Sequence, residues 1–256
     1  MGDFFYLKTP LSIAIYTSVS ELPENWNVFA MENIFLSKEY LEVLEKSAPS
    51  NMICHFIGLY DHKELVGISL SQFLDLNKLE SFGERDQCVK NAVRNTILKN
   101  LCSHILIIGN NMLSGQNAFA FSDKIDIAEI LKGLKTASEK LKTIFKNKNL
   151  KVHITTFKDF IEDELKPFHQ AGFKNYFQFS AQPNMIFDIP NQWKSEQDYI
   201  DSLSKKYRDQ YKRARKKADG IEKKKMKLAD IIQHEETIYD LYSHVAMNAH
   251  FNTFFL

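Results

Sequence analysis

Apolar residues recur along this chain at two periods, and the switches between them lay out its elements. Alternation over 11–17 predicts a strand, and Ser37 then opens a helix whose Tyr40, Leu41, Val43 and Leu44 share a face until Pro49 ends it. Two apolar runs, 52–60 and 64–73, read as strands joined by a hairpin turn at Asp61, His62 and Lys63. Val89, Val93, Ile97 and Leu101 predict a helix over 88–100, which delivers the chain to a strand at 104–108. A polar loop bounded by Gly109 and Gly115 follows. Ser122 or Asp123 is expected to cap a long helix carrying Ile127, Ile130, Leu134, Leu141 and Ile144. A strand over 151–157, a helix over 161–171 closed by Gly172, and strands over 173–179 and 185–189 complete the region. Strands interspersed with helices predict an α/β (α+β) fold, with a mixed sheet covered by helices on both faces.

Beyond this region the period is helical. Ser195 and Asp198 form a capping-box pattern, and Ile200, Leu203, Tyr207, Tyr211, Ala214 and Ala218 follow at intervals of three or four. They predict one amphipathic helix over 196–219, ~36 Å long, stopped by Gly220, with Tyr207, Tyr211 and Ala214 inward and its cations outward. A lysine-rich strand over 221–228 and a helix over 231–249 are expected next. The domain reading is therefore 1–192 and 193–256.

Charge changes this picture more than composition does. The formal net charge is +1, yet 12 of the 33 Lys and Arg residues lie between Lys205 and Lys227 beside only Asp209, Asp219 and Glu222. That segment carries +9, and the rest of the chain carries −8. Separation of this kind marks either a surface for an anionic partner or a strongly solvated face. Tyr207 and Tyr211 would add stacking groups for a nucleic acid. A leucine-zipper basic region is disfavoured, because Gly220 interrupts the helix where heptads should continue. A membrane-surface helix is disfavoured too, because Tyr and Ala, not Trp, Phe or Leu, lie opposite the cations.

The remaining chemistry is thin. Cys54, Cys88 and Cys102 are odd in number and unpaired in spacing, which fits buried thiols in a reducing cytoplasm. No run reaches the ~18 apolar residues of a membrane span. His234 and Glu235 begin like a zinc-protease helix, but Ile238 stands where the second ligand belongs, so no metal is expected. Five residues separate Gly109 from Gly115 where a Walker loop has four, and Gln116 and Asn117 follow in place of Lys and Ser or Thr, which excludes a Walker loop. Loop amides of this kind can still bind pyrophosphate without a lysine, or the loop is a plain connection. Cys54 and His55 are adjacent on a strand and point to opposite faces, so they do not pair as nucleophile and base.

The order of elements from Phe35 to Ile189, with a helix ending in His169-Gln-Ala-Gly-Phe173, resembles the GNAT acyltransferase fold. The stretch from Trp193 to Ile221 resembles the junction of FemAB-like transferases, which are built from two GNAT domains. The matching positions are Trp193, Lys206 with Arg208, Ala214 with Lys216, and Gly220. The usual acyl-CoA loop of GNAT enzymes, Gln or Arg-x-x-Gly-x-Gly or Ala, is absent after the central strand.

The resemblance implies a cytoplasmic acyl- or aminoacyl-transferase acting on an amine of a phosphorylated cell-envelope precursor or related substrate. Its alternative is a non-catalytic GNAT-like protein whose basic helix engages nucleic acid or a protein. The implied donor is acyl-CoA or aminoacyl-tRNA, tRNA thus being a candidate partner, and no tightly bound cofactor is expected. Backbone N–H groups at Ile108, Gly109 and Asn110 would hold the oxyanion. Lys205, Lys206, Arg208, Arg213 and Lys217 would contact phosphate. No general base is named. The family pattern also leads us to expect a second GNAT-like domain that is only begun here, so that this chain alone is inactive. Met247, Phe251, Phe254, Phe255 and Leu256 would then need a covering surface, such as a homodimer partner.

Overall fold

The apolar runs on either side of Asp61–Lys63 become the two longest strands of the sheet, and their nearly continuous burial is that of strands covered on both faces. In the computed structural model, which describes residues 10–78, 101–113, 115, 118–158, 160, 165–179 and 187–248, the chain begins with β1 (Ser12–Tyr16). The short helices α1 (Trp26–Phe29) and α2 (Lys38–Ser47) follow. Next come β2 (Met52–Asp61), β3 (Glu64–Asp75), β4 (His104–Ile108) and β5 (Phe119–Phe121). The long helix α3 (Ile127–Asn147), β6 (Ile154–Phe157) and α4 (Lys166–Gln170) end this part. His62, at φ 54°, turns the β2–β3 hairpin.

The sheet is mixed and six-stranded, ordered β1-β2-β3-β4-β6, with β5 also paired to β3. Every contact from β1 to β4 is antiparallel, and β4 pairs parallel with β6. This α/β arrangement is consistent with a GNAT-like fold. Strand β4 is internal, and its partner β3 is long enough to serve two strands: Ser71–Asp75 face β4, and Gly67–Ser69 face β5. Between them Leu70 accepts from Gly109 N at 2.9 Å and donates to Ala118 O at 3.1 Å. The segment from Gly109 to Ala118 is thus an excursion that leaves and rejoins one line of pairing.

Helices cover both faces. Ile130, Leu131, Leu134, Leu141 and Phe145 of α3 meet Ile57, Leu59, Phe73, Leu106 and Ile108 of the sheet. On the other face Trp26, Leu36, Leu41 and Leu44 meet Phe56, Ile68 and Leu70. These side chains are almost completely buried, and a fully buried residue of this size contributes roughly 1.5–3 kcal/mol by leaving water. The Trp26 indole donates to Leu36 O at 2.8 Å, which satisfies its only polar atom inside the core.

Several expectations are corrected. The cap of α3 is Asp126, whose carboxylate accepts from Ala128 N at 2.7 Å, and not Ser122 or Asp123. Ser122 N still donates to Val66 O, so the chain is extended there and the helix begins later. Residues 173–179 are not a strand. Phe173 and Tyr176 instead join Phe157 and Phe168 in an aromatic cluster with ring centroids 4.8–5.7 Å apart, and a turn closes from Phe173 to Tyr176. Residues 187–189 form no strand either. Gly172, at φ 81°, does stop α4. The expected helix over 88–100, residues 161–164 of the next helix, and the apolar end at Phe251–Leu256 lie outside the described residues.

Two compact units result: residues 1–176 with 243–256, and residues 177–242. In the second, the long helix expected over 196–219 is two helices, α5 (Glu196–Ser202) and α6 (Lys205–Lys217). Leu203 and Ser204 between them are extended, and Ser204 takes the cap position of α6, where serine is more stable than inside a helix. Residues 221–227 have no ladder partner and form no strand. Four lysines among them repel one another, and no neighbouring edge compensates. The final helix is likewise divided, into α7 (Leu228–Gln233) and α8 (Glu235–Asn248), with His234 at φ −109° between them. None of the described residues in 177–242 is buried.

Candidate functional site

The excursion at the carboxyl end of β4 is the most polar part of an otherwise apolar sheet. Gln72 of β3 and Asn110 just beyond β4 are both buried. Gln72 Nε2 donates to Asn110 Oδ1 at 3.4 Å, and Gln72 Oε1 accepts from Asn111 N at 2.7 Å. Asn110 Oδ1 also accepts from Met112 N at 3.0 Å, and Asn110 Nδ2 donates to the Tyr40 hydroxyl of α2 at 3.0 Å. Lys158, one residue past β6, donates from Nζ to Asn110 O at 3.2 Å and to Leu113 O at 2.7 Å. The excursion is therefore held by side chains from β3, α2 and the end of β6, where loop amides could not find a strand partner.

This geometry sorts the three donor-edge candidates. Ile108 is buried inside the sheet and paired with both β3 and β6, so it lies on no exposed edge, contrary to expectation. The Gly109 amide is committed to Leu70 O. Asn111, Met112 and Leu113 donate to Gln72, to the Asn110 side chain and to Asn110 O. Among the described residues 109–113, the Asn110 amide is the one N–H that meets no described acceptor. Gly109 takes φ +135°, which turns the chain out of the β4 direction.

The phosphate candidates lie together on α6. Lys205, Lys206, Arg213 and Lys217 are exposed and Arg208 is half-buried. Tyr207 is 54% exposed and Ala214 is exposed, so the expected inward face does not exist. Tyr211 is half-buried because its hydroxyl donates to the Glu196 carboxylate of α5. Ser195 and Asp198 do form the reciprocal cap of α5. Amides of Lys194 and Ser195 on the carboxylate, together with the Ser195 hydroxyl, hold Asp198 below the usual carboxylate range.

Two buried groups were given no role by the sequence reading. His55 and Ser71 stand opposite each other in the β2–β3 register, and neither His55 Nδ1 nor Ser71 Oγ has a hydrogen-bond partner. His55 packs edge-on to Phe145, with ring centroids 5.3 Å apart. Its neighbour Cys54 faces the other side, where it bonds Gln72, and burial pushes its thiol up to about 12. The available signal for these residues was the run Ser69, Ser71 and Gln72, polar residues inside an apolar strand. Among the described residues no group of three or more His, Cys, Asp or Glu could hold a metal. Among them, too, no helix is long and apolar enough to cross a membrane. No protein-family model matches this chain, and no curated protein matches it.

Proposed function

We propose that the chain is an acyl- or aminoacyl-transferase-like protein of the FemAB-like GNAT kind, with its reacting carbonyl placed at the carboxyl end of β4. One observation carries the reading: β4 is antiparallel to β3 but parallel to β6, and at its carboxyl end the chain departs, with the Asn110 amide meeting no acceptor among the described residues. In open α/β sheets ligands bind outside the carboxyl ends of the strands, and Asn110 lies just beyond the carboxyl end of β4. An acceptor amine would attack the acyl carbon, forming the C–N bond. The Asn110 N–H would stabilise the oxyanion, and the donor's C–S or C–O bond would break as the amine proton passes to the leaving group. Acyl-CoA and aminoacyl-tRNA are the candidate donors. Lys205, Lys206, Arg208, Arg213 and Lys217 would serve the phosphorylated part of the substrate, in the cytoplasm. A homodimer through the apolar carboxyl end belongs to the same proposal.

The test follows the Asn110 amide resonance of the labelled protein as acyl-CoA or aminoacyl-tRNA is added, alongside turnover with amine acceptors. A shift at Asn110 accompanied by turnover supports the reading. No shift and no turnover would refute it. A second reading, a non-catalytic protein that uses its basic helix to bind a partner, is favoured by that helix having no buried residue.

A further inference from the structure

Eight of the 13 residues of α6 are Lys or Arg, and Asp209 is its only acid. None of its residues is buried. No carboxylate lies within ion-pair distance of any of these cations, among the described residues. The helix thus carries eight like charges, opposed within it only by Asp209, which projects among them.

The placement of the charges narrows what could neutralise them. At about 100° per residue, the cations sweep an arc of about 200°, from Arg215 through Lys212, Lys205 and Lys216 to Lys217. Tyr207, Tyr211 and Ala214 occupy the opposite sector. Side chains that diverge over such an arc cannot converge on one phosphate, so a small phosphorylated molecule leaves most of them unanswered. A flat anionic bilayer meets only one side of a helix, and an interfacial helix also needs bulky apolar residues beside its cations. A partner that wraps the helix with phosphates on two walls answers the whole arc.

A DNA major groove is about 12 Å wide and admits a helix of about 10–12 Å diameter. Along the ~20 Å of α6 it presents roughly 11 phosphates, one per about 1.7 Å of axis. The major groove of duplex RNA is too deep and narrow to be entered in this way. We infer that α6 is a sequence-independent docking surface for duplex DNA, seated in the major groove with its cations against both phosphate walls. This names the partner in the second reading above, and it holds whether or not the first unit transfers an acyl group.

The experiment measures binding of the full chain to a short labelled DNA duplex of random sequence as salt is varied, with duplex RNA and vesicles of equal phosphatidylglycerol and phosphatidylcholine as parallel arms. With about six phosphates neutralised, affinity should fall about 10³-fold between about 50 and 200 mM salt, a log–log slope near about −5. Replacing the centre of the arc, Lys205→Gln with Lys212→Gln and Lys216→Gln, should make that slope shallower by about 3. Circular dichroism of the variant should be unchanged, since none of the three is buried. An unchanged slope in a variant that remains helical overturns the inference. So does tighter binding to duplex RNA or to vesicles, which would move the surface to that partner. Binding to none of the three overturns the inference, while leaving the acyl-transfer test untouched.

Discussion

The side-chain amide of Asn110 donates to the hydroxyl of Tyr40 at 3.0 Å, joining residues 70 positions apart. This bond ties the excursion after β4 to helix α2 across one face of the sheet. Asn110→Ala would strand the Tyr40 hydroxyl, Gln72 Nε2 and Met112 N, and leaving a buried polar group unsatisfied costs about 1–3 kcal/mol. We expect Asn110→Ala to lose roughly 2–3 kcal/mol and Tyr40→Phe about 1 kcal/mol. The double variant should lose less than the two together, by about 1 kcal/mol, because they share one bond. Urea denaturation of the four proteins checks this, and strict additivity would show that the bond is not formed in solution.

Gly109 is needed for its backbone. At φ +135° a side chain is strained, and a Cβ there would meet Lys158 Cγ at 3.0 Å. Lys158 cannot swing aside freely, since its ammonium holds Asn110 O and Leu113 O. Gly109→Ala should therefore destabilise the fold by about 1–3 kcal/mol, read as a lowered urea midpoint with an unchanged slope. A midpoint equal to that of the parent would mean the turn relaxes at no cost.

His55 should make the fold sensitive to acid. Burial first, and the Lys148 charge second, lower its pKa from 6.5 to about 4. The unfolded chain accepts a proton below pH 6.5 that the folded protein refuses until about pH 4. Stability should therefore fall as pH drops through that window and level off beneath it, by about 3 kcal/mol in all. His55→Leu should flatten this part of the stability profile. A variant whose acid limb matches the parent's would assign the loss to other groups.

Cys54 should be chemically quiet. The thiolate is the reactive form, and burial keeps this thiol protonated far above neutral pH. Alkylation at pH 8, followed by peptide mass mapping, should leave Cys54 unmodified in the folded protein and modify it in urea. Rapid labelling without denaturant would contradict the burial.

Much of the sheet was legible because its strands are apolar runs bounded by polar residues. His104–Ile108 is flanked by polar residues and was bounded correctly, and the hairpin around His62 declares itself by a polar triplet between two apolar runs. The aromatic run at 173–179 misled, because period cannot distinguish a strand from a cluster of rings packed on Phe157. The split between α5 and α6 was invisible for a related reason: two extended residues at Leu203 and Ser204 hardly disturb a helical repeat. At the candidate site, Gly109 and Asn110 stood out as a polar break, whereas Gln72, Tyr40 and Lys158 come from three distant elements and share no local pattern.

By itself the sequence determined β1, the β2–β3 hairpin, β4, α2 and α3 of the first unit, where α4 stops, and that the positive charge is concentrated between Lys205 and Lys227. Those are local properties, governed by side-chain period, by glycine at positive φ and by composition. Only the tertiary structure decided that β4 is antiparallel to one neighbour and parallel to the other, that β3 serves both β4 and β5, and that the Asn110 amide meets no acceptor among the described residues. These depend on which backbone groups find partners across the sheet, and that pairing is made between residues far apart in the chain, where no periodicity reaches.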